Sequence, residues 1–197
     1  MTFEELGLDA RLIQATAELG YVNPTQIQEK AIPVLLSGTK DFIGLAQTGT
    51  GKTAAFGLPL LHIIQADEKY PQALIVCPTR ELCIQIVSEV ELFKKHIKGV
   101  SVVAVYGGAS IGLQIRDLKR GVQIVVATPG RLIDLIERKA INLEQIKYVV
   151  LDEADEMLNM GFKDLIHYSI KLFPCHILTC RNINPIKLGL NQFLNSL

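Results

Sequence analysis

The chain has 197 residues, 49% hydrophobic, 20% charged and 6% aromatic, a composition that excludes a disordered polypeptide and fits one folded domain with a substantial core. Its 20 Lys and Arg balance 20 Asp and Glu, which excludes the strong positive field of a bulk nucleic-acid binder; any such contact must be local, through backbone N–H groups, helix N-termini and a few Arg side chains. Cys77, Cys83, Cys175 and Cys180 lack zinc-ligand spacing, the N-terminus Met1-Thr2-Phe3-Glu4-Glu5 is acidic, and no apolar run reaches bilayer length, so the sequence predicts a soluble cytoplasmic protein with reduced thiols.

From the N-terminus, Gly20-Tyr21-Val22-Asn23-Pro24-Thr25-Gln26-Ile27-Gln28 reads as the join between two helices. Gly20 closes the first, and Thr25 with Gln28 forms a capping box at the start of the second. Phe3, well upstream, has no part in that account. Apolar runs rich in Val and Ile follow at Asp41 to Ala46, Ala73 to Cys77, Val100 to Val105, Gln123 to Ala127 and Tyr148 to Leu151, with helical patterns between them. Strands that do not alternate apolar with polar, separated by helices, predict a mostly parallel sheet covered by helices on both faces, an α/β layered fold. Leu82, Ile86, Val90, Phe93 and Ile97 are spaced to line one face of a covering helix. Ligand sites in such a fold belong at the carboxyl ends of the strands.

Two of those strand ends carry chemistry. The first strand runs into Ala46-Gln47-Thr48-Gly49-Thr50-Gly51-Lys52-Thr53 and then a helical segment, Ala54 to Gln65. This is the pattern of a phosphate-binding loop, with Ala46 where the strict form has Gly. The glycines let successive N–H groups turn toward β- and γ-phosphates, Lys52 reaches the same oxygens, and the Thr53 hydroxyl can ligate Mg²⁺. The strand Tyr148 to Leu151 ends in Asp152-Glu153-Ala154-Asp155. Asp152 is placed to hold Mg²⁺, mostly through water, and Glu153 to orient and deprotonate an attacking water.

In conjunction these motifs resemble the DEAD-box RNA helicases. Phe3 followed by Gly20 to Gln28 resembles the family's Q motif, Pro78-Thr79-Arg80-Glu81-Leu82 its motif Ia, Gly107-Gly108 its GG motif and Thr128-Pro129-Gly130-Arg131 its motif Ib, all in family order from Phe3 to about Phe162. The resemblance implies a RecA-like P-loop domain using ATP and Mg²⁺, with Gln28 reading the adenine edge and Phe3 against the base. It also implies an RNA path along Pro78, Thr79, Arg80, Gly107, Gly108, Thr128, Pro129, Gly130 and Arg131, gripping sugar and phosphate. Thr79 and Thr128 follow predicted strands, where a hydroxyl and following N–H groups can hold phosphates. A non-catalytic RNA- or partner-binding fragment, and a P-loop ATPase or helicase acting on DNA, are the competing readings.

Beyond Phe162 the pattern changes. All 20 acidic residues precede Leu165, and the Ser-Ala-Thr tripeptide that the family carries on its next strand is absent from Ile177-Leu178-Thr179-Cys180, the one candidate for that strand. The sequence therefore divides into a Q-motif region, 1–29, a RecA-like ATP-binding domain, 30–165, and an atypical tail, 166–197. A reading-frame shift or premature stop near Gly161 to Leu165 would account for the tail, and such a tail would cover the sheet poorly. A divergent but genuine closing helix and strand, with Ile166, Ile170 and Phe173 on one face, is the alternative. In the family a second RecA-like domain completes the motor and supplies arginine fingers worth about three to five powers of ten in rate. This chain alone is expected to bind ATP without efficient hydrolysis or duplex unwinding.

Overall fold

The structure, a computed structural model, describes residues 1–38, 41–47 and 49–162, and the backbone of 176–181. Its centre is a parallel sheet of six strands: β1 (Phe42–Leu45), β2 (Ala73–Val76), β3 (Val102–Val105), β4 (Ile124–Ala127), β5 (Tyr148–Asp152) and β6 (His176–Arg181), in the order β1-β6-β5-β2-β4-β3. The five Val- and Ile-rich runs each form a strand, with ends within two residues of those expected. The sixth strand coincides with Ile177 to Cys180 and lies between β1 and β5, with Cys180 in register with both Gly44 and Asp152. Residues 176–181 are thus hydrogen-bonded within the sheet on both sides. Ile166, Ile170 and Phe173 lie outside the described residues.

The strands are apolar on both sides because both sides are covered. Ile75, Cys77, Ile124, Val126 and Val150 face a core shared with α1 (Ala10–Glu18), α2 (Gln26–Ser37), α3 (Lys52–Ile63) and α4 (Arg80–Phe93). Leu74, Val76, Val125, Ala127, Val149 and Leu151 face a second core with α5 (Ile111–Lys119), α6 (Pro129–Glu137) and α7 (Ala154–Asn159). Alternate residues of one strand thus enter different cores, which is why the period-2 signal of a one-sided sheet is missing.

α3 is buried from Lys52 to Leu61, without a polar face, because α2 and α4 flank it on the sheet. A Cβ on Gly57 would stand 3.4 Å from Val90 and Phe93, so the glycine lets α3 and α4 approach closely. Of the five residues expected on one face of α4, Ile86, Val90 and Phe93 are fully buried and Ile97 is buried beyond the helix end. In the first turn Cys83 takes the buried place and Leu82 is only half-buried. Cys77 and Cys83 are free thiols; hydrogen bonding between them, followed by burial, pushes Cys77 up and keeps it protonated. Among the described residues no helix is long and apolar enough to cross a membrane.

Candidate active site and nucleic-acid interface

The strand order sets out the chemistry along one edge. At their carboxyl ends β1 leads into the phosphate loop and β5 into Asp152–Asp155, while β2, β4 and β3 lead into Pro78–Arg80, Thr128–Arg131 and Gly107–Gly108. Residues far apart in sequence form a row, with the P-loop at one end and the Gly-Gly turn at the other.

The P-loop is closed by short bonds. Thr50 Oγ1 donates to the Gln47 carbonyl at 2.7 Å, and Gly51, in the left-handed region at φ 83°, caps α3 so that Lys52 and Thr53 form its first turn. The helix thus begins two residues before the expected Ala54. Ala46 is buried, Gln47 and Gly49 are exposed, and Thr48 lies outside the described residues.

The capping box is present and does more than cap. Gln28 Oε1 accepts from Thr25 N at 2.9 Å, while Gln28 Nε2 donates to the Gly51 carbonyl at 3.0 Å and Thr25 Oγ1 to the Thr50 carbonyl at 2.9 Å. Gln28 is only 2% exposed, and a Cβ on Gly51 would collide with its amide. The start of α2 and the P-loop are therefore one assembly. An adenine edge would compete with these two amide bonds. Phe3 is buried in the core, its ring stacked against Tyr21 at 6.5 Å between centroids. Beside the loop opens a cleft of about 380 Å³ lined by Thr25, Ile27, Leu45, Ala46, Gln47 and Thr50.

Asp152, 3% exposed, accepts at Oδ1 from Glu153 N (3.1 Å), and the same oxygen lies 3.9 Å from Lys52 Nζ. Burial pushes its carboxyl up to about 6, against the pull of Lys52 and with the neighbouring Glu153 charge adding to the rise. Glu153 occupies the left-handed region (φ 53°, ψ 44°), a conformation that costs a non-glycine residue about 1–2 kcal/mol and turns the chain sharply from β5 into α7. Asp155 Oδ1 is buried with no hydrogen-bond partner among the described residues. A buried carboxylate whose facing cation, Lys52, is 3.9 Å away suits a hard oxygen-liganded cation, and the Asp152 carboxylate and Thr53 hydroxyl are the oxygen donor types that Mg²⁺ takes. No group of three or more His, Cys, Asp or Glu among the described residues could hold a metal. A cation at Asp152 would therefore complete its shell with phosphate and water, as Mg²⁺ does.

At the other end of the row Thr79 caps α4, its Oγ1 accepting from Leu82 N at 3.2 Å, and Pro78 is buried beneath it. Arg80 is exposed, its guanidinium 5.0 Å over the Tyr106 ring. Thr128 precedes α6 without a side-chain cap bond, and Pro129 supplies the first helical position, where its missing N–H costs nothing. Gly107, Gly108 and Gly130 are exposed, and Gly108 has φ 80°, so its turn needs a glycine.

Arg131 does not point outward as the RNA path expects. Its side chain is 11% exposed, with Nη1 donating to Gln114 Oε1 at 2.6 Å and Nη2 to the Ala109 carbonyl at 3.1 Å. Gln114 and Tyr106 were not anticipated. The signal for Gln114 was a polar residue on the apolar stripe Ile111, Ile115 and Leu118 of α5; for Tyr106 it was an aromatic directly before Gly107-Gly108.

Comparison with known proteins shows the family and the fold. Residues 25–182 match the DEAD/DEAH box helicase family model, a span that passes Phe162 and includes β6. The chain is 51% identical over 164 residues to the ATP-dependent RNA helicase DeaD of Haemophilus influenzae, covering 83% of this chain and 27% of that protein. It is 55% identical over 173 residues to the ATP-dependent RNA helicase CshA of Listeria monocytogenes, covering 87% and 33%. The crystal structure of a DEAD box protein from Methanococcus jannaschii superposes with a TM-score of 0.90 at 38% identity, over all of this chain and 52% of that one. The chain thus spans about a quarter to a third of the helicases it matches, and the RecA-like α/β fold is common to it and the solved protein. It belongs to the DEAD/DEAH box helicase family.

Proposed function

We propose that this domain binds ATP with Mg²⁺ at the β1 and β5 end of the sheet edge and single-stranded RNA at the β2, β4 and β3 end, as the nucleotide-binding half of an RNA-separating ATPase. The observation that carries the reading is the strand order, which lines up the P-loop, the carboxylates and the three phosphate-gripping turns on one edge. Ala46 to Thr53 cradles the phosphates, with Lys52 on their oxygens. Thr53 and Asp152 hold Mg²⁺, partly through water, and Mg²⁺ when bound neutralises charge on the phosphates. Glu153 positions the attacking water and accepts its proton. Gln28 leaves the Gly51 carbonyl to read adenine, while Phe3, buried in the core against Tyr21, supports the region rather than touching the base. Thr79, Arg80, Gly107, Gly108, Thr128 and Gly130 meet the RNA backbone through hydroxyl, backbone N–H and guanidinium groups, which need no broad positive surface, and Pro129, which has no N–H, shapes the turn that presents them.

A second RecA-like domain, as the family resemblance implies, would supply the other half of the RNA groove and the arginine fingers. Calorimetry with a non-hydrolysable ATP analogue and Mg²⁺, alongside anisotropy with matched RNA and DNA oligomers, tests the reading. Nucleotide binding with RNA preferred over DNA of the same sequence is expected, because the grip includes the 2′-OH. A folded chain that binds neither would contradict it.

A further inference from the structure

We propose that Gln114 and Arg131 are positioning residues that hold the Gly107–Gly108 turn in its nucleic-acid-receiving shape, so that Arg131 acts on RNA through the turn rather than by touching phosphate. The proposal rests on the RNA reading above. The turn between β3 and α5 is bound at both ends by one pair of side chains. Gln114 Nε2 donates to the Tyr106 carbonyl at 3.1 Å on the entering side, and Arg131 Nη2 donates to the Ala109 carbonyl at 3.1 Å on the leaving side. Arg131 Nη1 and Gln114 Oε1, 2.6 Å apart, join the two into a strut from α6 to α5.

Both carbonyls face inward onto these donors, and between them Gly107 and Gly108 are exposed. Gln114 is 7% exposed and buried among apolar neighbours on α5, where an unsatisfied amide would be costly, so the bonds are held firmly. Above the turn the Arg80 guanidinium lies over the ring of Tyr106, whose carbonyl is the one Gln114 holds. One strut thus fixes the Gly-Gly backbone together with the aromatic seat of the neighbouring exposed arginine. Two of the five guanidinium N–H donors are engaged below the turn, Nε lies 3.9 Å from Asp134 Oδ2, and the side chain is only 11% exposed, so the group faces protein rather than a phosphate above the turn.

The test uses the full chain, a fluorescent oligouridylate and the variants Gln114→Leu, Arg131→Lys and Arg131→Met. Gln114→Leu and Arg131→Lys should each weaken oligouridylate binding about tenfold, the loss expected for one hydrogen bond to a charged group. Affinity for a non-hydrolysable ATP analogue should not change, and the double variant should be no weaker than its worse single parent. The slope of log affinity against log salt should stay at the wild-type value in Arg131→Met. A direct phosphate contact would instead keep binding in Arg131→Lys and reduce that slope by about one in Arg131→Met, and this result overturns the proposal. Amide exchange at Gly107, Gly108 and Ala109 without RNA gives a second readout, expected to quicken in Gln114→Leu. If the wild-type chain binds no oligouridylate, the RNA reading falls on that measurement; unchanged exchange at the turn overturns the strut separately.

Discussion

The two ends of the sheet are built from similar residues and treated oppositely. At the amino ends of the strands, two buried glutamines satisfy the loops around them. Gln72 bonds both ways with the Gln65 backbone, and Gln123 accepts from Ser101 N while donating to the carbonyls of Ala66 and Glu68. At the carboxyl ends compensation is incomplete: Asp152 is buried with Lys52 at 3.9 Å, and Asp155 Oδ1 is buried with no hydrogen-bond partner among the described residues. A polar group buried and satisfied stabilises the fold, and one buried at a loss is kept for a ligand.

The contrast breaks first at Lys52. Lys52→Ala should lower affinity for a non-hydrolysable ATP analogue by at least about thirtyfold in calorimetry, since removing one partner of a buried charge pair costs about 2–5 kcal/mol, while the fold persists. An unchanged affinity would reduce the P-loop to a turn. The opposite edge should respond in the opposite currency. Gln123→Ala leaves several buried backbone groups unmatched and should cost about 3 kcal/mol in urea unfolding, with nucleotide affinity of the folded protein preserved.

Asp152 sharpens the comparison through pH. Its carboxyl rises from an ordinary 3.8 to about 6 in the folded protein, so the fold binds this proton more tightly than the unfolded chain does. The stabilisation is complete below about pH 4 and is lost as pH rises through 6, an effect of up to about 3 kcal/mol. Asp152→Asn should therefore raise the melting temperature at pH 7, without Mg²⁺, and leave it unchanged at pH 4, while removing the Mg²⁺-dependent part of the affinity for a non-hydrolysable ATP analogue. A melting temperature that falls at pH 7 would mean that Asp152 is a structural partner of Lys52. The smallest effect belongs to Gln28→Ala, which should narrow the preference for ATP over GTP. Loss of its capping role can cost up to about 2 kcal/mol, so the melting curve is measured beside the affinities.

The fold was legible because its signals are local and repeated. Five apolar runs, a capping box and a strand running into Gly49 to Lys52 each require only neighbours in sequence. What escaped depends on contacts across the fold. The spacing of Thr25 and Gln28 announces a cap, and nothing in it reveals that both side chains also hold P-loop carbonyls more than twenty residues away. Arg131, in a motif expected to grip RNA, reads as a phosphate contact until α5 places Gln114 beside it. The left-handed turn at Glu153 escaped because a glutamate carries no signal for positive φ.

The central claim is that one edge of the sheet is a single ligand edge, nucleotide at one end and RNA at the other. Hydrogen exchange on the full chain, with and without a non-hydrolysable ATP analogue, Mg²⁺ and oligouridylate, tests it most directly. The account predicts slowed exchange at residues 46–53 and 152–156 with nucleotide, at 78–82, 107–110 and 128–131 with oligouridylate, and no change around Gln72 and Gln123. Protection centred on the amino ends of the strands, or nucleotide binding that leaves 46–53 and 152–156 unaltered, would contradict it.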